Sequence, residues 1–562
     1  MESKEEKLKE IIKNEVFVTK NDAQIISKFK TESSWLFDFR KILLDPRHID
    51  LITEIFWDKY KDKYPFQVCG LEVAAVPLVS AIVMKSVQKG KPVNGFFIRK
   101  SRKKDGLLKM IEGKVTNDNI IIVDDLINSG KTITRQLAVI DRIEKKITDV
   151  FTITHFRELD YYYFLKERDI ILHSVFPITA FGLEFKRNKP KKFLGDIFKT
   201  EWYFKSQKPS YFYVVPKSTP ALDLDKVYFG SDNGNFWALN QEDGSVAWKY
   251  KIGLHPKGKS IFSSPTLFEQ TVYFGSYDGN VYALDTQTGK KKWMFMEADW
   301  VGSSPALAPD INTLFIGLEF GLINKKGGIV ALDMKTGEKK WEHITSKYTH
   351  CSPLYIPSKK IVIIGSNDSF VYAYNAKSGK LLWKLQTEGE IKASFAFDEK
   401  RNVIIFGSFD GRIYIINVKT GEIIHTHQTE FGIYSTPEIY KDTVYFTSLD
   451  KRIYSLDLKT YTLNWDFQTK GRIFASPAVI NNRLYIGSND GRLYEINPDT
   501  GEELGFIQVS ERITNKIIYN KKTGAFFLPT FANELYCIYR NENQKDSVNL
   551  YKNFTSYTSK SP

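Results

Sequence analysis

Two adjacent carboxylates, Asp124 and Asp125, close the apolar run Ile120-Ile121-Ile122-Val123 and open onto the segment Leu126-Ile127-Asn128-Ser129-Gly130-Lys131-Thr132. These residue types suit a phosphorylated sugar. Neighbouring carboxylates accept hydrogen bonds from a sugar diol, and backbone N–H groups at a helix start favour a phosphate. Gly130-Lys131-Thr132 imitates the end of a nucleotide-binding P-loop. That motif needs a glycine where this chain has Asp125, so the imitation fails.

The elements around the acids place them. The apolar run reads as a strand and the amphipathic stretch Ile133 to Ile147 as a helix, so the loop lies at the carboxyl end of a strand, where open α/β sheets hold ligands. Upstream, Phe96-Phe97-Ile98 is a second strand, running into the strongly basic segment Arg99 to Gly106. Val68 to Leu78 reads as strand, tight turn and helix start, and Val150 to Phe156 and Ile170 to Phe176 as two more strands with a helical stretch, Glu158 to Glu167, between them.

In this order the segments resemble the type I phosphoribosyltransferases, and orotate phosphoribosyltransferases in particular. The stretch around Asp124-Asp125 is similar to the phosphoribosyl-pyrophosphate (PRPP) motif. The resemblance implies that the two acids bind the ribose hydroxyls and that Asn128, Ser129, Gly130, Lys131 and Thr132 hold the 5-phosphate. Arg99, Lys100 and Lys103 coincide with the family's Arg-Lys-x-x-Lys-x-His-Gly loop, in which Asp105 replaces His. With Asp124 and Asp125 they form the implied catalytic set, because Arg and Lys can neutralise the charge that grows on departing pyrophosphate. Leu71, Glu72, Val73 and Ala74 resemble the pyrophosphate loop, and Lys28 to Arg40 the hood over the base. Phe37 in the hood and Arg157, near the family's Asp-Arg position, are the implied base contacts. His155-Phe156 replaces the acid of that pair. The resemblance further implies Mg²⁺ bound through PRPP rather than directly by side chains, orotate or a related pyrimidine as acceptor, and a homodimer through this domain.

A chain of 562 residues exceeds one ordinary core. Cys69, Cys351 and Cys537 have no zinc or redox spacing and read as reduced core residues. The N-terminus is charged rather than signal-like, and no apolar run approaches about twenty residues, so a cytoplasmic location without membrane contact is expected. The net charge is +14, with clusters at Arg99 to Lys104 and Lys186 to Lys192. The second reads as a solvated linker. No zinc-finger or RNA-recognition signature accompanies it, so nucleic acid is not an expected partner.

From about residue 210 the sequence repeats every forty to fifty residues or so. The clearest copy runs from Val272 to Asp285 around Ser276-Tyr277-Asp278-Gly279, then Thr288-Gly289 and Trp293. Asp-Gly between alternating strands is a type I′ hairpin signal, which makes the acids turn residues rather than calcium ligands. Trp248, Trp293, Trp341, Trp383 and Trp465 recur at one position, where His425 and Gly505 stand in two other copies. A ring there can pack between neighbouring sheets. These repeats resemble pyrroloquinoline-quinone (PQQ)-type β-propellers, without implying the quinone. Seven copies are clear, and Arg512 to Arg540, completed by Tyr211 to Pro216, would make an eighth blade.

The expected architecture is therefore an α/β type I phosphoribosyltransferase fold, a parallel sheet with a hood, at 1–185. A basic linker at 186–210, a propeller of about eight blades (or seven) at 211–545 and a tail at 546–562 follow. The expected activity is transfer of phosphoribosyl from PRPP to a base, with the propeller binding an unidentified protein partner or organising assembly. Asp105 favours one rival, a non-catalytic PRPP-sensing regulator. The other is a propeller scaffold with a vestigial first domain.

Overall fold

The computed structural model describes residues 2–19, 35–73, 75–99, 110–141, 143, 145–185, 197–205, 218–253, 260–321 and 325–541. The chain forms two compact units that part near residue 193. In the first, α1 (Lys4–Ile11) precedes an antiparallel pair, β1 (Phe17–Thr19) and β2 (Trp35–Phe37), and then α2 (Arg40–Leu43) and α3 (Pro46–Tyr60). Six further strands make one sheet: β3 (Phe66–Leu71), β4 (Asn94–Ile98), β5 (Ile111–Glu112), β6 (Asn119–Ile127), β7 (Ile147–His155) and β8 (Ile171–Pro177). Their order is β5-β4-β3-β6-β7-β8, parallel except for β5. Helices α4 (Val76–Gln88), α5 (Lys131–Asp141) and α6 (Tyr163–Lys166) lie between strands in the chain.

Both faces of this sheet are covered, which explains the unbroken apolar run in β6. Ile121 and Val123 enter one core with Phe56 and Trp57 of α3, whereas Ile120 and Ile122 enter another with Ile133, Leu137 and Ile140 of α5. The α5 helix ends at Asp141, short of the expected Ile147, because Ile147 already belongs to β7 and pairs with Ile120. The stretch expected to be helical from Glu158 to Glu167 is a 3₁₀ turn, Leu159–Tyr162, followed by the single turn α6.

The second unit is an eight-bladed propeller of four-stranded antiparallel sheets. Blade two is typical, with strands Thr266–Phe268, Thr271–Gly275, Val281–Asp285 and Lys291–Phe295. The first strands of neighbouring blades abut around the axis. Blade eight takes three strands from the end of the propeller, Ile518–Tyr519, Ala525–Pro529 and Glu534–Arg540, and its outer strand from β9 (Phe198–Lys205). This corrects one expectation. Residues 198–205 are part of the propeller rather than of a linker, and they supply the outer strand of the last blade. Residues 211–216 and 186–196 lie outside the described residues.

One contact recurs between blades. Trp248 donates its Nε1–H to Thr286 O at 2.9 Å, and its ring lies on Gly289 of the next blade, where φ is +68° and a Cβ would sit 2.6 Å from the ring. The same pairs form between Trp293 and Gly337, Trp341 and Gly379, Trp383 and Gly421, and Trp465 and Gly501. Trp202 of β9 completes the set, donating to Gln241 O at 2.8 Å and covering Gly244. Where the ring is His425, the left-handed glycine is replaced by Tyr461, and the two stack at 5.0 Å. Where it is Gly505, the next turn glycine, Gly524, has open space above it.

The Asp-Gly hairpins are not two-residue type I′ turns. Gly279 N–H donates to Ser276 O at 3.1 Å, and Gly279 has φ of +88° while Asp278 does not enter the left-handed region. A type I′ turn needs both central residues there. The geometry is a type I turn closed by a left-handed glycine. The Asp carboxylates accept from tyrosines three residues past that glycine or its equivalent: Tyr282 reaches Asp278 at 2.5 Å and Tyr414 reaches Asp410 at 2.8 Å. Among the described residues no helix is long and apolar enough to cross a membrane.

If β9 closes the ring, Trp202→Ala should cost about 3 kcal/mol. A fragment starting at residue 211 should melt well below one starting at residue 197. Superimposable melting curves for the two fragments, followed by circular dichroism, would show β9 to be dispensable.

Candidate functional site

The chain leaves β3 for β4 on one side and later returns to β6 on the other, so a crevice opens beyond the carboxyl ends of β3 and β6. Such a switch point is where open α/β sheets bind ligands. Cys69 pairs with Ile122, which sets Leu71 at the level of Asp124. The two expected loops, one after Leu71 and one after the acids, therefore flank the same crevice.

Gly70 makes the first loop possible. A Cβ there would lie 2.3 Å from Ala75 Cβ and 2.9 Å from Val123 O, so only glycine lets the start of α4 fold back against β3 and β6. The reversal is held by Ala75 N–H donating to Leu71 O and Val76 N–H to Val73 O, both at 3.3 Å, and no side chain caps α4. Glu72 reaches Arg99, with its carboxylate 3.2 Å from the guanidinium, which also lies 3.4 Å from Glu112. The expected pyrophosphate loop and the first residue of the expected basic loop thus meet. Val73 is exposed. Ala74, Lys100, Lys103 and Asp105 lie outside the described residues, as do residues 28–34 of the hood.

The β6 strand does not stop at the acids but runs through them to Ile127, because β7 keeps pairing as far as His155. Asp124 is 6% exposed, and its Oδ1 accepts from the Asp125 N–H at 3.0 Å, while the Asp125 carboxylate accepts from Leu126 N–H at 2.9 Å. Burial pushes the Asp125 carboxyl above the ordinary carboxylate range, opposed by these hydrogen bonds and by the positive charge of Arg40. Beyond the acids, Asn128 and Ser129 are half-buried, Gly130 has φ of +69°, and Thr134 N–H donates to Gly130 O at 2.9 Å as α5 begins. Thr132 is exposed. The backbone of Lys131 opens α5.

Tyr162, which the sequence did not single out, braces this loop. Its hydroxyl lies 2.9 Å from Ile127 O and 3.0 Å from Asn128 O, and Phe156 N–H also donates to Ile127 O at 3.0 Å. Arg157 sits in the same segment, largely buried, with its guanidinium 4.3 Å above the Tyr161 ring. His155 is buried and stacks on Phe185 at 5.9 Å, and desolvation holds its pKa below the ordinary histidine value. Tyr162 carries no sequence signal, because it acts on the acid loop from a distant part of the chain, and Arg40 entered the sequence reading only as the last residue of the expected hood.

Phe37 departs from expectation. It is 6% exposed and surrounded by Phe17, Phe39, Phe156 and Phe181, with ring centres 5.2 to 5.9 Å away. Its ring ties β2 to the core and is already covered on several sides, so it is a packing residue of the hood rather than a free face for a base.

This region of the chain is 29% identical over 127 residues to the orotate phosphoribosyltransferase of Bradyrhizobium sp. (strain ORS 278), covering 22% of this chain and 69% of that protein. It is 27% identical over 125 residues to the orotate phosphoribosyltransferase of Pyrococcus furiosus, of which it covers 66%. The propeller region matches two family descriptions, "Outer membrane protein assembly factor BamB" of the PQQ type at residues 199–352 and "Beta-alanine-activating enzyme, beta-propeller" at residues 320–561. The chain joins an orotate-phosphoribosyltransferase-like domain to a PQQ-like propeller. The crystal structure of BamB from Moraxella catarrhalis superposes with a TM-score of 0.51 at 15% identity, covering 62% of this chain and 99% of that one. A quinohemoprotein alcohol dehydrogenase from Pseudomonas putida gives 0.53 at 15% identity, over 63% and 78%. At that identity these two show the fold alone.

The raised pKa of Asp125 has a measurable sign. Its ionised form is less favoured in the folded than in the unfolded chain, which lowers stability at neutral pH, and the penalty fades as pH falls through the raised pKa towards about 4. Asp125→Asn should therefore raise the melting temperature at pH 7, and the gain should vanish near pH 4. A gain that persists or grows at the lower pH would contradict a half-buried, destabilised carboxylate.

Proposed function

We propose that the first domain transfers the phosphoribosyl group of PRPP to a nitrogenous base, orotate or a related carboxylated pyrimidine, and releases pyrophosphate. The observation that carries this reading is the convergence, on one crevice between β3 and β6, of the Glu72–Arg99 loop pair and the Asp124-Asp125 loop. The homology of the same region to orotate phosphoribosyltransferases supports it.

In this reading Asp124 and Asp125 accept the ribose hydroxyls, and the backbone from Asn128 to Thr132 holds the 5-phosphate at the start of α5. Mg²⁺ would be held through the hard oxygen donors of PRPP rather than directly by side chains, leaving Asp124 and Asp125 to the ribose hydroxyls. Bound Mg²⁺ would supply charge neutralisation on the pyrophosphate. Arg99, with Lys100 and Lys103, faces the leaving group. The C1–O bond breaks with its electrons passing to pyrophosphate as a ring nitrogen attacks C1, and no covalent nucleophile is needed. Fixed positive groups stabilise the departing charge. Arg99 exchanges part of its pairing with Glu72 and Glu112 for pyrophosphate oxygens. Arg157 offers a planar fork to the carboxylate of the base. The unit acts as a homodimer, and the propeller recruits a protein partner or organises assembly.

Purified protein incubated with PRPP, Mg²⁺ and a panel of bases should release pyrophosphate fastest with orotate. Arg157→Ala should abolish the preference for a carboxylated base. Asp124→Asn with Asp125→Asn should weaken PRPP binding at least about tenfold, or 1.4 kcal/mol, in calorimetry. Binding without pyrophosphate release from any base would favour the PRPP-sensing regulator. Unchanged PRPP affinity in the double variant would remove the acids from the site.

A further inference from the structure

The propeller carries a second cavity of chemical interest, unrelated to the crevice of the first domain. Each blade enters the ring through a short segment just ahead of its first strand, and these segments line a central space of about 220 Å³. One tier of that lining is nearly uniform. Thr219 N–H donates to Ser264 Oγ at 3.0 Å, Ser264 N–H to Ser304 Oγ and Ser304 N–H to Ser352 Oγ, both at 2.9 Å, and Thr436 N–H to Ser476 Oγ at 2.9 Å. These hydroxyls knit one blade to the next, so the repeat itself accounts for them. Each accepts through oxygen and keeps its proton to donate.

The tier two residues earlier is different. In blades two to seven it reads Phe262, Gly302, His350, Lys392, Tyr434 and Phe474. A position that served only the repeat would vary less. Further departures from the repeat converge on the same place. Blade three has a longer central hairpin, Thr313–Phe320 with Lys326–Asp333, than the strands of five or six residues found in blade two or four. That extension carries Glu319, which is 2% exposed, to within 3.1 Å of His350 Nδ1, and Gly302 N–H donates to the same carboxylate oxygen at 3.2 Å. A buried carboxylate is retained only with partners, and here both partners line the cavity. Lys392 lies 2.6 Å from Glu390 and 4.4 Å above the Phe409 ring. Tyr434 bridges Phe409 and Phe474 at 5.7 and 5.6 Å.

We propose that this cavity binds a small planar carboxylate. His350 and Lys392, from adjacent blades, supply the cationic or N–H donors, and the Ser352 and Ser394 hydroxyls in the same two blades add O–H donors. Phe262, Tyr434 and Phe474 supply aromatic walls, which favour a flat ring at offset or edge geometry. The space, about 220 Å³, has room for one ring bearing a carboxylate.

Sodium benzoate is the probe, titrated into the full-length protein by calorimetry or by ligand-observed NMR. One equivalent should bind with Kd of about 1 mM or tighter. Lys392→Met and His350→Phe should each weaken binding at least tenfold, Lys392→Arg should keep it, and cyclohexanecarboxylate should bind at least fivefold more weakly than benzoate. Asp124→Asn with Asp125→Asn should leave benzoate binding unchanged, which separates this site from the crevice of the first domain. The proposal is overturned by no saturable binding up to about 20 mM, by equal affinity in Lys392→Met, by loss in the Asp124/Asp125 variant, or by binding of inorganic phosphate without benzoate.

Discussion

An indole ring standing on a glycine of the next blade is the contact on which most of this molecule depends. It recurs from β9 to the seventh blade, and each time the glycine holds a left-handed turn that exposes a flat backbone surface for the ring. The N–H of the indole pays no desolvation penalty, because it finds a carbonyl in the same turn. Ring and glycine change together. Tyr461 replaces glycine opposite His425, and the surface over Gly524 lies open where Gly505 stands. The blades are thus joined by complementary pairs, and a substitution at one member is felt in the neighbouring sheet.

The first domain is governed by a different constraint, a sheet whose two crossovers diverge from β3. That divergence leaves two strand ends without a covering connection and lets loops far apart in sequence face each other. The cost is visible at Asp125, a carboxylate kept in surroundings that disfavour its charge. In the function proposed above, ribose hydroxyls meet that carboxylate. Arg99 shows the complementary arrangement, a cation held between the carboxylates of Glu72 and Glu112.

Much of this was legible in the residues. Alternating strands, Thr-Gly turns and spaced tryptophans announced the propeller, and the acid pair before a small loop announced the crevice. What escaped did so for physical reasons. Phe37 lies on a short strand whose sequence does not say which side is covered, and only the ring of phenylalanines around it decides. The apolar stretch through Ile147 spans the end of one element and the start of another, so periodicity alone prolonged α5. Asp-Gly signals a hairpin, but the hydrogen bond from Gly279 to Ser276 fixes its type. Trp202 was missed because its ladder partner, Cys537, lies at the far end of the chain and no turn signal stands beside it. The hydroxyl tier of the propeller had a signal, Ser-Ser-Pro or Ser-Thr-Pro ahead of the first strand, as at Ser263, Ser303 and Ser435.

The borrowed strand in blade eight also sets an order of events during synthesis. The first domain and β9 leave the ribosome together, but the partner of β9, Glu534–Arg540, emerges only after the rest of the propeller. At about 5–20 residues per second, that interval is on the order of half a minute. Throughout it β9 is an open strand edge, the kind of surface that recruits other chains. Its sequence, Phe-Lys-Thr-Glu-Trp-Tyr-Phe-Lys, places Lys199, Glu201 and Lys205 among the aromatics. Charges spaced along an edge strand disfavour its pairing with another chain.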